Sequence, residues 1–457
     1  MTGTFAVDTP SVETETGLPQ LAWLEARTRE LLAEAQRRGA DQAEVSLSAS
    51  RALSVTARAR QRESVEHEGD RGASLTVYCG QRSGSASTTD LTADGLRAAL
   101  DQALTIARFT EADTFAGLAD AELMAGEQPD LSLYHPWSLD AEQALEMALQ
   151  LEAAALDYDA RIAQTEGATV ASRDGVSVYG NSHGFVGGER ASRHALSCQP
   201  LARADAGMQR EVAFSQARHA DELQAVEAVG RLAAERAVAR LGARTPPTTT
   251  ASVLFTPRVA RGLWGHLVAA ISGGALYRNA SFLKDKLEQS IAVEALTLSQ
   301  HPHRPRGLAS AAFDGDGVAT AERTLVDQGV LRGYVLSAYT ARRLGLTSTG
   351  NAGGVFNLDV APGTDDFDAL VAGMGRGLVV TELMGQGVNL VNGDYSRGAA
   401  GFWVENGKIA YPVENATIAG NLAEMYQGID ALGSDVDFGA ALRTPSVLIG
   451  SMTIAGQ

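Results

Sequence analysis

Cysteine is scarce in this sequence: Cys79 and Cys198 are the only two in 457 residues. Two thiols are too few for a disulfide framework and fit a reducing compartment. Long apolar runs are missing as well. No eighteen consecutive apolar residues occur, so no helical membrane span is expected. The opening stretch, MTGTFAVDTPSVETETGLPQ, has no basic segment followed by an apolar one, which argues against a signal peptide. Residues 1–20 are expected to form a disordered tail. Positive charge is in deficit too, with 38 Lys and Arg against 55 Asp and Glu, a net of −17. Nucleic-acid binding needs clustered Lys and Arg, so that class is excluded. The deficit is uneven: residues 1–242 carry −14 and residues 243–457 only −3.

What is present suits a globular chain with two or three cores, 45% hydrophobic and 20% charged. The 48 glycines announce many turns and close backbone approaches. Helical spacing of apolar residues predicts helices over 18–38, 92–108, 141–157 and 221–241, with Asp221 as an N-cap and Gly242 as a stop. Period-two alternation predicts strands over 43–49, 53–59 and 73–78, then 165–172, 176–179, 185–188 and 194–200. Asp174-Gly175 and Asn181 to Gly184 read as turns between them. ARTPPTTT, residues 243–250, reads as an extended linker, because paired prolines cannot continue a helix. The expected organisation is α+β. An N-terminal domain over 21–242 has antiparallel strands flanked by helices, and a β-rich C-terminal domain covers 251–457. In the latter, 324–335 reads as a hairpin and 338–344 as a short helix ended by Gly345.

Arg261 to Ala275, RGLWGHLVAAISGGA, is the segment to test for chemistry. Leu263, Trp264, Leu267, Val268 and Ile271 recur at helical spacing, while Gly262, His266, Ala270 and Gly273 leave the other face nearly bare. A zinc peptidase helix carries two histidines and a glutamate, because the metal needs nitrogen ligands and its water needs a base. In an HExxxH register, Gly265 and Ala270 stand at the histidine positions and His266 at the glutamate. No Asp or Glu occurs between Glu235 and Asp285. No catalytic residue and no metal ligand is therefore expected on this helix. The small set Gly262, Ala269, Ala270 and Gly273 reads as a close-packed surface.

The remaining candidates are weaker. His301-Pro302-His303 has two chelating nitrogens but no third, and reads as an exposed turn. Gly180 to Gly184 matches G-x-S-x-G as a string, but a strand follows it where the nucleophile elbow needs a helix. Phe313 to Gly317 starts like a calcium loop and lacks the later oxygens, so a tight turn is expected. His67, His183 and His194 read as surface residues. Cys79 and Cys198 read as inert core residues.

Several long strings carry a resemblance: RGLWGHLVAAISGGALYRNASFL, ARRLGLTSTGNAGG, VTELMGQGVN and GDYSRGAAGFWVENGKIAYPVENATIAGNL. They resemble the TldE (PmbA) branch of the TldD/TldE metalloprotease family. The resemblance is dense from about residue 252 to 457 and diffuse before it. It implies one subunit of a cytoplasmic heterodimer that cleaves peptides and unfolded segments, with links to microcin maturation and antitoxin breakdown. Zinc would sit in the TldD-like partner, held by HExxxH and a cysteine, and this chain would bind no cofactor. Tyr395, Arg397, Phe402 and Trp403 are candidate contacts to peptide or partner, with core packing as the competing reading for Phe402 and Trp403. The alternative is a homodimeric peptide-binding protein with no protease activity. A hydrolase site around His301 and His303 is a third reading.

Overall fold

A computed structural model describes residues 17–205 and 207–456. The expected tail lies outside these residues up to position 16. Leu18 does not belong to a free tail, since it is buried in the first core. Helix α1 (Leu21–Arg37) opens the fold and is followed by strands β1 (Gln42–Arg58), β2 (Gln61–Cys79) and β3 (Arg82–Thr88). Helices α2 (Ala93–Phe109) and α3 (Ala141–Leu156) come next, then strands β4 (Ile162–Asn181), β5 (Val186–Ala204), β6 (Gly207–Arg210) and β7 (Ala213–Ala217), and helix α4 (Val226–Ala239). The strands form one antiparallel sheet in the order β3-β2-β1-β4-β5-β6, with β7 also pairing β5.

Four helices cover one face of this sheet. Ala43, Val45, Leu47 and Ala49 of β1 pack under α1 and α2, and Leu53, Val55 and Ala57 of the same strand pack under α3 and α4. The face is apolar at both ends and polar in the middle. There Arg51 stands opposite Asp174 in the β1–β4 register and pairs with it at 2.9 Å. Beside them the buried Ser172 donates to His194 Nδ1 at 3.0 Å. His194 Nε2 donates to the carbonyl of His135, which fixes its tautomer.

This polar belt corrects several sequence expectations. The predicted strands 43–49 and 53–59 are one strand, as are 165–172 and 176–179. Strands 185–188 and 194–200 likewise merge into β5. Asp174-Gly175 is mid-strand, and the charge there serves a cross-strand pair. His194 is fully buried. His67 lies mid-strand in β2, opposite Leu53 and exposed. The β1–β2 turn is Ala59-Arg60, both at positive φ, and fully buried Glu152 accepts both amide N–H groups at 2.9 and 2.8 Å. Asp221 caps nothing in α4, whose N-cap is Ala225 without a side-chain bond.

The second half begins with strand β8 (Thr249–Phe255), helix α5 (Pro257–Ala270) and helix α6 (Gly273–Tyr277). Strands β9 (Leu298–Gln300), β10 (Arg323–Asp327) and β11 (Val330–Leu331), helix α7 (Ala338–Leu344), strand β12 (Leu358–Val360) and helix α8 (Phe367–Met374) follow. Then come strands β13 (Gly377–Met384), β14 (Val388–Asn389), β15 (Asp394–Glu405) and β16 (Lys408–Asn421), helix α9 (Leu422–Gln427), and strands β17 (Ile429–Leu432), β18 (Leu442–Arg443) and β19 (Val447–Gly456). The hairpin β10–β11 and α7 with its left-handed Gly345 cap stand where the sequence puts them.

Strands β13, β8, β19, β16 and β15 are hydrogen-bonded in that order, and β15 pairs back to β13. The path closes on itself, which leaves none of these five as a free edge over its paired length. Side chains alternate along it. Val253, Phe255, Leu378 and Val380 pack with α5, and Leu254, Val379 and Leu448 pack with α8. A smaller sheet, β11-β10-β9-β12-β18, extends the same core. Residues 243–250 are no free connector: Arg244 donates its N–H to Pro412 O at 2.9 Å and accepts from Glu414 N–H at 3.1 Å, alongside β16.

Candidate functional site

Helix α5 is built to be held on one side. Pro257 starts it, suited to a first turn that has no use for its missing N–H. Leu263, Trp264, Leu267 and Ala270 are buried in the main core. The Trp264 indole N–H donates to Thr444 Oγ1 at 2.8 Å, and its ring stacks on Tyr426 at 6.2 Å. Tyr426 donates its hydroxyl to the carbonyl of Leu263 at 2.8 Å. These contacts fix the helix's rotation about its axis.

The opposite stripe is open. A Cβ added at Gly262 or Gly265 would meet nothing within 4 Å. Next to Gly265, His266 is half-buried, its ring edge-on to Tyr395 at 6.1 Å. Its Nε2 is buried with no hydrogen-bond partner. Burial, and then the charge of Arg397, hold its pKa below the ordinary histidine value, so it is neutral at physiological pH.

The expected close-packed surface therefore divides. Gly262 faces open space, as does Gly265 outside the expected set; Ala269 is half-buried, Ala270 is in the core, and Gly273 belongs to α6, packed against Thr340 and Leu336 of the α7 region. The helix also ends at Ala270 and begins four residues before Arg261.

The donor chemistry around His266 does not fit zinc. Its neighbours are a phenol ring and a guanidinium, and Gly265 and Ala270 bring no ligand atom. Among the described residues, no three His, Cys, Asp or Glu side chains converge as a metal site would require. His301 and His303 are not brought together either. His301 Nδ1 lies 2.5 Å from Glu322 Oε2, and His303 Nε2 lies 3.0 Å from Thr320 Oγ1.

Tyr395 and Trp403 are 2% and 0% exposed, so core packing wins and neither ring is free to touch a peptide. Burial pushes the Tyr395 phenol up to about 12. Arg397 is half-buried, and its Nε donates to Met384 O at 3.1 Å, bracing the exposed glycine loop after β13. Phe402 faces a cavity of about 520 Å³. Asn181 to Gly184 forms the β4–β5 turn, and Ser182 Oγ accepts the Ala43 N–H at 3.0 Å. Asp314 organises the 313–317 turn by accepting N–H groups from Asp316, Val318 and Ala352 at 2.7–2.9 Å. Cys198 is buried, which pushes its thiol up to about 12, while Cys79 is half-buried.

One group escaped sequence reasoning. Glu211 is buried between Arg240, at 3.1 Å, and Arg258, at 3.0 Å. These three residues come from three separate segments and tie the first sheet to the second. No local pattern marks them.

The scaffold is of a metallopeptidase class. Residues 248–456 match the PmbA/TldA metallopeptidase C-terminal domain, 134–241 the central domain and 43–107 domain 1. Metalloprotease PmbA of Escherichia coli O157:H7 is 46% identical over 91% of this chain and 93% of its own length. A PmbA homolog of Haemophilus influenzae is 43% identical over 91% and 92%. This chain belongs to the PmbA/TldD metallopeptidase family. A Bacteroides thetaiotaomicron crystal structure, of a candidate modulator of DNA gyrase, superposes with a TM-score of 0.89 at 28% identity, covering 95% of this chain and 99% of its own. TldE from Thermococcus kodakarensis shares the fold, with a TM-score of 0.83 at 20% identity over 94% and 100%.

Proposed function

We propose that this chain is the TldE-type subunit of a cytoplasmic TldD/TldE zinc metalloprotease and that it binds no zinc itself. The observation that carries the reading is α5. This helix is held rigidly by Trp264 and Tyr426, and an HExxxH register laid on it would find Gly265, a neutral His266 and Ala270 at the ligand and base positions. Its open stripe suits close approach of another backbone, either an extended peptide or the partner's surface. Zinc and the general base then belong to a TldD-like partner. This chain completes the chamber and selects flexible substrates, and the two halves of the fold act as two domains of one subunit. That no helix among the described residues is long and apolar enough to cross a membrane is consistent with this reading.

The test is co-expression with a TldD-like protein that keeps HExxxH. A stable mixed dimer with one zinc per pair and peptidase activity is expected. Stoichiometric zinc on this chain alone, with peptide cleavage lost on His266→Ala, would overturn the proposal. Failure to form the mixed dimer, with peptide binding by a homodimer, would favour the non-enzymatic alternative.

A further inference from the structure

The 520 Å³ cavity lies where α4, the start of α5 and β13 meet. That volume suits a ligand of about dipeptide size. Leu232, Ala239, Pro257, Phe402 and Val436 give it apolar wall. Three guanidinium groups also line it, and they differ in how far they are satisfied. Arg258 donates from Nη1 and Nη2 to Glu211 Oε2, each at 3.0 Å, and also to the carbonyls of Val212 and Thr381. Arg240 pairs with Glu211 and Glu382. Arg236 has one hydrogen bond, from Nη1 to Val212 O at 3.1 Å, and among the described residues no carboxylate within ion-pair distance. Arg218 makes the contrast clear: it also lacks a carboxylate partner, but donates to the carbonyls of Ser192, Gly307 and Leu308.

A half-buried guanidinium with donors to spare, on the wall of a ligand-sized cavity, is a receptor for an anion. The rest of the wall chooses among anions. Glu211, Glu235, Asp435 and Asp437 line the same cavity, so a phosphate dianion would face four carboxylates. A singly charged carboxylate meets less repulsion. Phe402, Leu232 and Val436 favour an apolar body behind it.

We propose that this cavity binds a small organic carboxylate with an apolar body, of the size of an acylated amino acid. Arg236 takes the carboxylate, and Phe402 packs against the body. The site adjoins the open stripe, since Arg258 stands one turn, about 6 Å along α5, before Gly262. Because α4 covers the first sheet and β13 belongs to the second, an occupant bridges the two halves of the fold.

Calorimetric titration of the full chain with N-acetyl-phenylalanine, and with its primary amide, separates charge from shape. Saturable one-to-one binding of the acid is expected, with affinity at least about tenfold weaker for the amide and for Arg236→Gln. Ala239→Trp, which fills the cavity from an exposed wall position, should abolish binding. That variant decides the matter should circular dichroism show Arg236→Gln unfolded. No saturable binding of the acid up to about 10 mM, equal affinity for the amide, or undiminished binding by the folded variants would each overturn the proposal.

Discussion

Replacing Gly262 and Gly265 together by alanine should make the chain more stable. Both lie inside α5, neither has positive φ, and the added Cβ atoms would meet nothing within 4 Å. Glycine in a helix interior costs roughly 0.5–1 kcal/mol relative to alanine. Two such positions, with no shared packing partner, should together give about 1–2 kcal/mol. Guanidinium unfolding reads this as a higher midpoint at unchanged slope. The control is Gly273→Ala, whose Cβ would run into Thr340 and Leu336, and which should lose about 1–3 kcal/mol. The same stripe should be intolerant of bulk in function. Gly265→Trp should fold as well as the wild type, yet weaken mixed-dimer assembly or peptide hydrolysis at least about tenfold, the effect of ~1.4 kcal/mol. A less stable double alanine variant would mean that the stripe is not open. A folded Gly265→Trp with full assembly and activity would mean that the opening is not used.

Glu152→Gln should cost about 2–3 kcal/mol, because a fully buried acceptor for Ala59, Arg60 and the Thr165 hydroxyl loses one oxygen; a loss below about 0.5 kcal/mol in urea unfolding would refute that role. Burial raises Asp314 to about 6, against its three backbone amides, and Glu44 and Asp316 shift the same way for the same cause. Because the folded pKa of Asp314 exceeds the unfolded one, its contribution is present below about pH 4 and is lost as pH rises through about 6. The stability of the wild type relative to Asp314→Asn should accordingly fall by roughly 2 kcal/mol from pH 4 to 7, and a flat difference would contradict the shift. With a thiol reagent at pH 8, Cys79 should react in the folded chain and Cys198 only after unfolding; two fast thiols would show that the core under α3 and α4 is not closed.

The helices were legible because their information is local. Asp140 and Gln143 form a capping box at α3, Gly345 ends α7 in the left-handed region, and both are visible in the sequence. The strands were legible in character but not in length. Arg51, Asp174 and His194 broke the apolar alternation, and a charge or a D-G pair in mid-strand reads as a turn. The cause is a pairing more than 120 residues apart, so no window on one strand reveals it. The closed path of strands is hidden for the same reason. At α5, the missing ligands could be counted from sequence. Which small residues are open was not readable, since that depends on Thr340, Leu336 and the neighbours that Gly262 and Gly265 do not have.

The closure of β8 onto β19 also sets a timetable for making the protein. About 190 residues separate the two partners. A ribosome adding roughly 5–20 residues per second delivers β19 some 10–40 s after β8 has emerged. Throughout that interval Val253, Leu254 and Phe255 have no antiparallel neighbour on that side. The nascent second half is therefore a natural client for a holding chaperone, while the first sheet, complete by Ala217, can mature without waiting.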